Sequence, residues 1–275
     1  MFFTIIKASG GLERKALYLP IQRVASKWKK TIILKHKDHL RPYIPDTRKY
    51  NFEHLQEMLE LYGTIYVKPD LGTYGIGVMS AEYWTDELDP SHTRQYKLRY
   101  GIESELFPTL EELHAAISAK IGHKFNLIQQ GIDMLTYRRR KFDLRALVQQ
   151  TPQRTWETTG FIGRLAAPQK IITNHHGGGS IMTIEDLLGP YLTPKEFASL
   201  YKEMKNVGVH TAATLARKYR NLKEIGLDIA IDQGFKIWIL EVNTLPALFP
   251  FKTLQNKDIY KKIRRYAVAY GRLKA

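Results

Sequence analysis

The chain has 275 residues, 44% of them hydrophobic and 11% aromatic, enough to bury a sizeable core and unlike a disordered segment. It has no cysteine, which excludes disulfides, thiolate zinc sites and a cysteine nucleophile. With 42 Lys and Arg against 27 Asp and Glu, its formal charge of +15 draws anions: nucleic acid, acidic membranes, nucleoside triphosphates or acidic substrates.

A solvated basic surface accounts for the same charge. The basic residues are spread along the chain and match no nucleic-acid signature, so nucleic acid is not the expected partner. The opening apolar run Met1–Ile6 stops at Lys7, too short for a signal-peptide core. No apolar run approaches the roughly 18 residues of a membrane helix. The expectation is a cytoplasmic protein with no membrane partner.

Residues 1–50 read as basic and irregular, broken by Pro42 and Pro45. A helix is predicted over 52–62, with Asn51 as its N-cap and Phe52, Leu55, Leu59 and Tyr62 at helical spacing. Thr64–Asp70 alternates as a strand, a glycine loop follows, and Val78-Met79 begins a return strand. Glu103–Phe107 is another strand. Thr109 and Glu112 form a capping-box pattern, opening a helix that ends at Gly122. Strands are predicted at 125–130, 142–150 and 156–163. Thr193-Pro194-Lys195-Glu196 opens a helical region running to about residue 220, with a break near Gly208. A hairpin of Leu227–Asp232 and Phe235–Asn243 turns at Gln233-Gly234, and 256–272 forms a basic amphipathic helix. Strands and helices mix without a βαβ rhythm, which favours an α+β fold.

The segment Leu240-Glu241-Val242-Asn243-Thr244-Leu245-Pro246 carries the strongest local signal. In a strand, residues i and i+2 share a face, so Glu241 and Asn243 present two hard oxygens that suit Mg2+. With a two-residue loop, Asp232 pairs with Phe235, and Asp228 lies opposite Ile239, diagonal to Glu241 at roughly 7–8 Å. A three-residue loop would turn Asp228 to the other face. Trp238, Leu240 and Val242 then face away from the acids or flank them. An ordinary hairpin with solvent-facing carboxylates satisfies the same pattern.

In Val67-Lys68-Pro69-Asp70-Leu71-Gly72-Thr73-Tyr74-Gly75-Ile76-Gly77-Val78, a strand ends in a lysine and a loop with three glycines follows. Glycines let backbone N–H groups approach phosphate oxygens, and the lysine adds a point charge. The spacing is neither a Walker loop nor a dinucleotide-binding fingerprint, and a tight glycine turn between strands is the alternative. In Phe142-Asp143-Leu144-Arg145-Ala146-Leu147-Val148, Asp143 and Arg145 share a polar face. The arginine can grip a phosphate, or the two can form an exposed ion pair. Arg164 and the polar loop Asn174-His175-His176-Gly177-Gly178-Gly179-Ser180 complete the set. Adjacent histidines diverge and no third ligand has zinc spacing, so zinc is not expected.

In this order, these segments resemble the ATP-grasp superfamily of carboxylate–amine ligases, and within it the spore-coat-associated YheC/YheD-like branch. Lys27-Trp28, Leu40-Arg41-Pro42-Tyr43-Ile44-Pro45-Asp46-Thr47 and Leu127-Ile128-Gln129-Gln130-Gly131-Ile132 carry the resemblance further, over roughly residues 20–250. It implies an α+β ATP-grasp fold, two α+β subdomains clasping ATP between antiparallel sheets. The implied organisation is a basic N-terminal segment at 1–50, a subdomain with the glycine flap at 51–123, a subdomain with the metal site at 124–252, and a helical tail at 253–275.

The roles implied for the residues follow the same resemblance. Lys27 and Lys68 reach the ATP phosphates, and Gly72, Thr73, Gly75 and Gly77 belong to a mobile flap. Gln130, Gly131 and Ile132 form the hinge that meets adenine, and Asp133 takes the ribose. Arg145, Arg164 and Asn174 bind phosphates or stabilise the transferring group. Asp228, Glu241 and Asn243 hold Mg2+. ATP phosphorylates a carboxylate and an amine displaces the phosphate. An ATP-grasp kinase acting on an anionic small molecule and a non-catalytic ATP-binding spore-coat protein are the alternatives. Ile172 stands where related ligases usually carry a basic residue, and Tyr74 where the flap is often small. Related ligases commonly carry a further domain ahead of this core and little chain precedes Lys27, so the expectation is an acceptor pocket that is either incomplete or completed by a partner protein.

Overall fold

The computed structural model describes residues 21–73, 75–85, 94–167 and 179–274. The first half runs α1 (Lys27–Lys35), β1 (Thr47–Lys49), α2 (Phe52–Tyr62), β2 (Thr64–Pro69), β3 (Met79–Thr85), β4 (Arg94–Tyr100), β5 (Glu103–Phe107), α3 (Leu110–Ile121) and β6 (Asn126–Gln130). The second half runs β7 (Thr136–Tyr137), β8 (Arg140–Gln150), β9 (Trp156–Leu165), β10 (Ser180–Met182), α4 (Ile184–Leu188), α5 (Pro194–Lys218), β11 (Glu224–Ile231), β12 (Ile237–Asn243) and α6 (Lys257–Ala269). The fold is α+β, with two antiparallel sheets ordered β1-β6-β2-β3-β4-β5 and β10-β9-β8-β11-β12, and with β7 paired to β8.

In the first sheet, β2 alternates: Ile65 and Val67 are fully buried while Tyr66 and Lys68 are not. The apolar pair packs with Leu55, Met58 and Leu59 of α2 and with Leu113 and Ile117 of α3. Each such side chain, fully buried, contributes about 1.5–3 kcal/mol. One face of the sheet is thereby committed to helices, and Tyr66 and Lys68 are left facing the second sheet. The caps follow the sequence. Asn51 Oδ1 accepts from His54 N, Thr109 Oγ1 accepts from Glu112 N, and Thr193 and Glu196 cap each other reciprocally. β6 pairs with both β1 and β2, so residues 126–130 sit in the first sheet although the sequence reading grouped them with the second half.

The second sheet carries α5 on one face, where Leu200, Met204, Val207 and Leu215 meet Leu144, Val148, Leu227 and Ile229. The predicted break at Gly208 is absent, and α5 runs unbroken for 25 residues. The glycine serves close packing instead. A Cβ there would lie 2.7 Å from Thr158 Oγ1 and 3.0 Å from Val148 Cγ2. The expectation of an irregular segment before residue 50 is likewise corrected. Ser26 Oγ accepts from Lys29 N and opens α1, whose Leu34 is buried in the main core.

Candidate functional site

The hairpin of β11 and β12 departs from the predicted register. Ile231 pairs with Ile237, so the turn is one residue longer than read from the sequence, with Phe235 in the left-handed region at φ 61°. That extra residue alone would turn Asp228 away. A bulge between Asp228 and Ile229 restores the face, and Asp228 pairs directly with Glu241 rather than with Ile239. Leu240 is the extra residue of the bulge. It turns toward the acids' side, where it packs with Ile132, Met134, Ala230 and Trp238, while Val242 and Ile239 enter the core. The expectation that Leu240 and Trp238 point away or merely flank is thus revised: they form an apolar slot beside the acids.

Across the strands, Asp143 pairs with Arg164 and Arg145 with Asp228. Arg164 Nε donates to Asp143 Oδ1 at 2.7 Å and its Nη2 to Asp143 Oδ2 at 2.5 Å. The same Nη2 lies 3.0 Å from Asp228 Oδ2, and Arg145 Nε donates to Asp228 Oδ1 at 2.5 Å. Asp143 and Asp228 are 3% and 6% exposed, so charges this deep require these partners. Burial alone would raise the Asp228 carboxyl, but Arg145 and Arg164 hold it below the usual carboxylate range. Burial opposes the charge of Arg164 too, and Asp143 and Asp228 overcome it, raising its pKa. The ion pair imagined between Asp143 and Arg145 within one strand is therefore replaced by a buried cross-strand network.

Facing this network is the cationic edge of the first sheet. Lys27 Nζ donates to Gly72 O at 3.1 Å and stands 3.9 Å from Glu241 Oε1. Lys68 Nζ donates to Gln129 Oε1 at 2.5 Å. Burial lowers Lys68 to about 8, with Glu241 opposing and Lys27 assisting the fall. Lys30 is lowered to about 8 for the same leading reason, and its Nζ donates to Val24 O at 2.9 Å. Gly72, Gly75 and Gly77 all have positive φ, the freedom a loop needs to turn its backbone N–H groups inward.

These groups line one cavity of about 810 Å³. Of the residues singled out in the sequence, it gathers Lys27, Lys68, Gly72, Thr73, Gly75, Gln130, Ile132, Arg145, Arg164, Asp228, Glu241 and Asn243. Gly77, Gly131 and Asp133 are not on its wall. Gly131 lies against Thr64, where a Cβ would come within 2.7 Å of the carbonyl oxygen, so only glycine fits the crossing between sheets. Asp133 is exposed. Asn174, with His175 and His176, lies outside the described residues. Among the described residues no cluster of three His, Cys, Asp or Glu gathers as a metal site. The oxygen set is two carboxylates and the Asn243 amide.

Sequence reading missed Arg23, Lys30, Gln129 and Asp143 as wall residues, and Asp70 as the clamp that places Lys27. Asp70 Oδ1 accepts from Trp28 N at 2.7 Å and from Ser26 Oγ at 3.0 Å, while Lys27 N donates to Asp70 O at 3.1 Å. The start of α1 is thereby fixed to the end of β2. The signal was present, since Asp70 directly follows Lys68-Pro69, but its partner lies 42 residues away along the chain.

Residues 21–273 match the protein family described as YheC/D like ATP-grasp. The chain is also similar to two curated proteins of Bacillus subtilis (strain 168). The endospore coat-associated protein YheD is 23% identical over 248 residues, covering 89% of this chain and 53% of its own length. The endospore coat-associated protein YheC is 22% identical over 221 residues, covering 80% of this chain and 59% of its own. The chain thus spans just over half the length of these relatives. No helix among the described residues is long and apolar enough to cross a membrane.

Proposed function

This chain belongs to the YheC/D-like ATP-grasp family, and we propose that its cavity binds Mg·ATP and joins a carboxylate to an amine. The observation that carries the reading is the meeting of two opposed walls. Lys27, Lys68 and the glycine loop line one side, and Asp228, Glu241 and Asn243 line the other.

Mg2+ takes oxygen ligands and is usually held by one or two carboxylates together with phosphate oxygens. Glu241 and Asn243 fit that demand, as does the register that sets Asp228 opposite Glu241. Asp228 already serves two arginines. It therefore contributes to the metal by sharing an oxygen, or by releasing Arg145 to the phosphates. The ion would offset charge on the transferring phosphoryl group.

Lys27 and Lys68 hold the phosphates, and the loop from Gly72 to Gly77 covers them. Gln130 and the slot of Ile132, Met134 and Leu240 receive the nucleobase. Arg145 and Arg164, fixed by buried carboxylates, stabilise the group in flight. In the reaction, an acceptor carboxylate oxygen attacks the γ-phosphorus, the bond to the bridging oxygen breaks, and ADP leaves. An amine nitrogen then attacks the acyl carbon, inorganic phosphate leaves, and the nitrogen gives up a proton.

The cationic excess of the walls also suits a kinase acting on an anionic small molecule. Products separate the readings: ligation yields ADP, free phosphate and an amide, whereas a kinase yields ADP and a phosphorylated acceptor. Calorimetry with ATP at millimolar Mg2+ tests the shared premise, and absence of binding heat would discard it. A role in the spore is carried over from the names of the two relatives alone.

A further inference from the structure

The cavity has a second apolar end, and its character names the class of acceptor, given the reading of function above. Beyond the acid pair, away from the slot of Ile132 and Leu240, the wall is built by Ile162, Ile181, Leu245, Phe249 and Pro250. Ile162 is buried against Phe251 and Leu248, which makes that end firm rather than a loose surface. Three apolar side chains of the cavity wall are open: Ile76 is 71%, Phe249 52% and Leu245 43% exposed. Apolar residues converging on a concave site mark a place that an apolar group enters.

Charge decides which functional group accompanies it. The cavity wall carries six cations, Arg23, Lys27, Lys30, Lys68, Arg145 and Arg164, against the three carboxylates Asp143, Asp228 and Glu241. Arg145 and Arg164 are spent on Asp228 and Asp143. Among the described residues Arg23 forms no ion pair. It stands next to Val24, whose N–H donates to Thr244 Oγ1 at 2.8 Å, and so lies beside the Leu245–Pro250 wall. An amine would be repelled here in its charged form, whereas a carboxylate is drawn in.

We propose that this end is the acceptor pocket and takes a carboxylic acid bearing a bulky apolar group, its carboxylate drawn by Arg23 and the lysines of the wall and its apolar group against Ile181 and Phe249.

Hydroxylamine, used as the amine, tests this without knowledge of the natural nucleophile. Its nitrogen displaces phosphate from the activated acid and leaves a hydroxamate. With Mg·ATP, the dipeptides Ala-Leu and Ala-Phe should give kcat/KM at least roughly tenfold above Ala-Asp and Ala-Lys. Phe249→Ala should raise KM for Ala-Phe by roughly tenfold, and Ile181→Asp should abolish the apolar preference, while both keep wild-type affinity for a non-hydrolysable ATP analogue. Equal use of all four dipeptides overturns the proposal, as does analogue binding with no hydroxamate from any acid, or a Phe249→Ala enzyme with unchanged KM. If the analogue itself gives no binding heat, the nucleotide reading fails and this inference falls with it.

Discussion

Asp228 and Glu241 stand directly opposite each other because two irregularities add to a two-residue shift, which keeps both on one face: a turn lengthened by one residue at Phe235 and a bulge that makes Leu240 the extra residue. The two acids nonetheless have different duties. Asp228 is buried and holds Arg145 and Arg164, whereas Glu241 is partly open and has only the distant Lys27 as an ion-pair partner among the described residues.

Their isosteric amides should therefore separate. Glu241→Gln should lower turnover by roughly a hundredfold or more, the several kcal/mol expected of a metal ligand, with stability changed by less than about 1 kcal/mol. Asp228→Asn should cost about 3–5 kcal/mol of stability, since it leaves buried arginines under-compensated. The pH sign follows from a folded pKa held below the ordinary aspartate value of 3.8 by Arg145 and Arg164. The stabilisation is present above that value and is lost as pH falls through the depressed folded pKa. The acid limb of wild-type stability should accordingly be steeper than that of Asp228→Asn. ADP release and chemical denaturation at pH 7 and pH 3 read both effects, and equal stability of the two variants would refute the division of labour.

Lys68 and Lys30, both lowered to about 8, predict a pH-dependent affinity for nucleotide. Near pH 8 each is about half protonated in the free protein. A bound triphosphate favours the charged form, so binding should take up protons there and weaken as pH rises toward 10. Calorimetry in two buffers of different ionisation enthalpy measures the uptake directly. Lys68→Met should reduce both the uptake and the affinity. Affinity constant from pH 7 to 10 would contradict the assignment.

Asp70 acts through Lys27. Its carboxylate caps the start of α1 and ties it to β2, so Asp70→Ala should cost about 1–2 kcal/mol of stability. It should also loosen Lys27 and weaken nucleotide binding. Asp70→Asn keeps an acceptor oxygen for Trp28 N and should retain most of both. Equal affinities for the two variants would mean that Lys27 does not depend on this clamp.

What could be read from the sequence was governed by local periodicity. Ile65 and Val67 against Tyr66 and Lys68, or Glu241 against Asn243, reveal their faces within one strand because alternation needs no partner. The Asp143–Arg164 pair joins residues 21 apart through the register of β8 and β9, itself shifted between Leu147 and Val148. No local pattern encodes that shift. The α1 helix was obscured because its basic composition masks a helix whose Lys30 is buried and bonded to Val24 O. Gly208 misled for a related reason: a glycine inside a helix signals a break only when nothing packs against it.

Gly226 gives the most direct test of how the acid hairpin supports the arginines. It pairs with Asn243 on one side and with Leu147 of β8 on the other. A Cβ at Gly226 would lie 2.7 Å from Pro246 Cβ and 3.1 Å from Arg145 Cδ. Pro246 cannot swing aside without moving the Thr244–Pro250 wall, whose carbonyl at Pro246 accepts from Arg272 Nη2 at 2.7 Å. Gly226→Ala should therefore cost about 1–3 kcal/mol through overpacking. It should also push Arg145 off Asp228 and, under the proposed function, lower turnover more than nucleotide affinity, because Arg145 is there set against the transferring phosphoryl rather than the nucleobase. Removing the obstructing Cβ with Pro246→Gly in the same chain should recover part of the overpacking cost. A Gly226→Ala protein with wild-type turnover would show that Arg145 has room to spare, and that its contact with Asp228 is not what positions it.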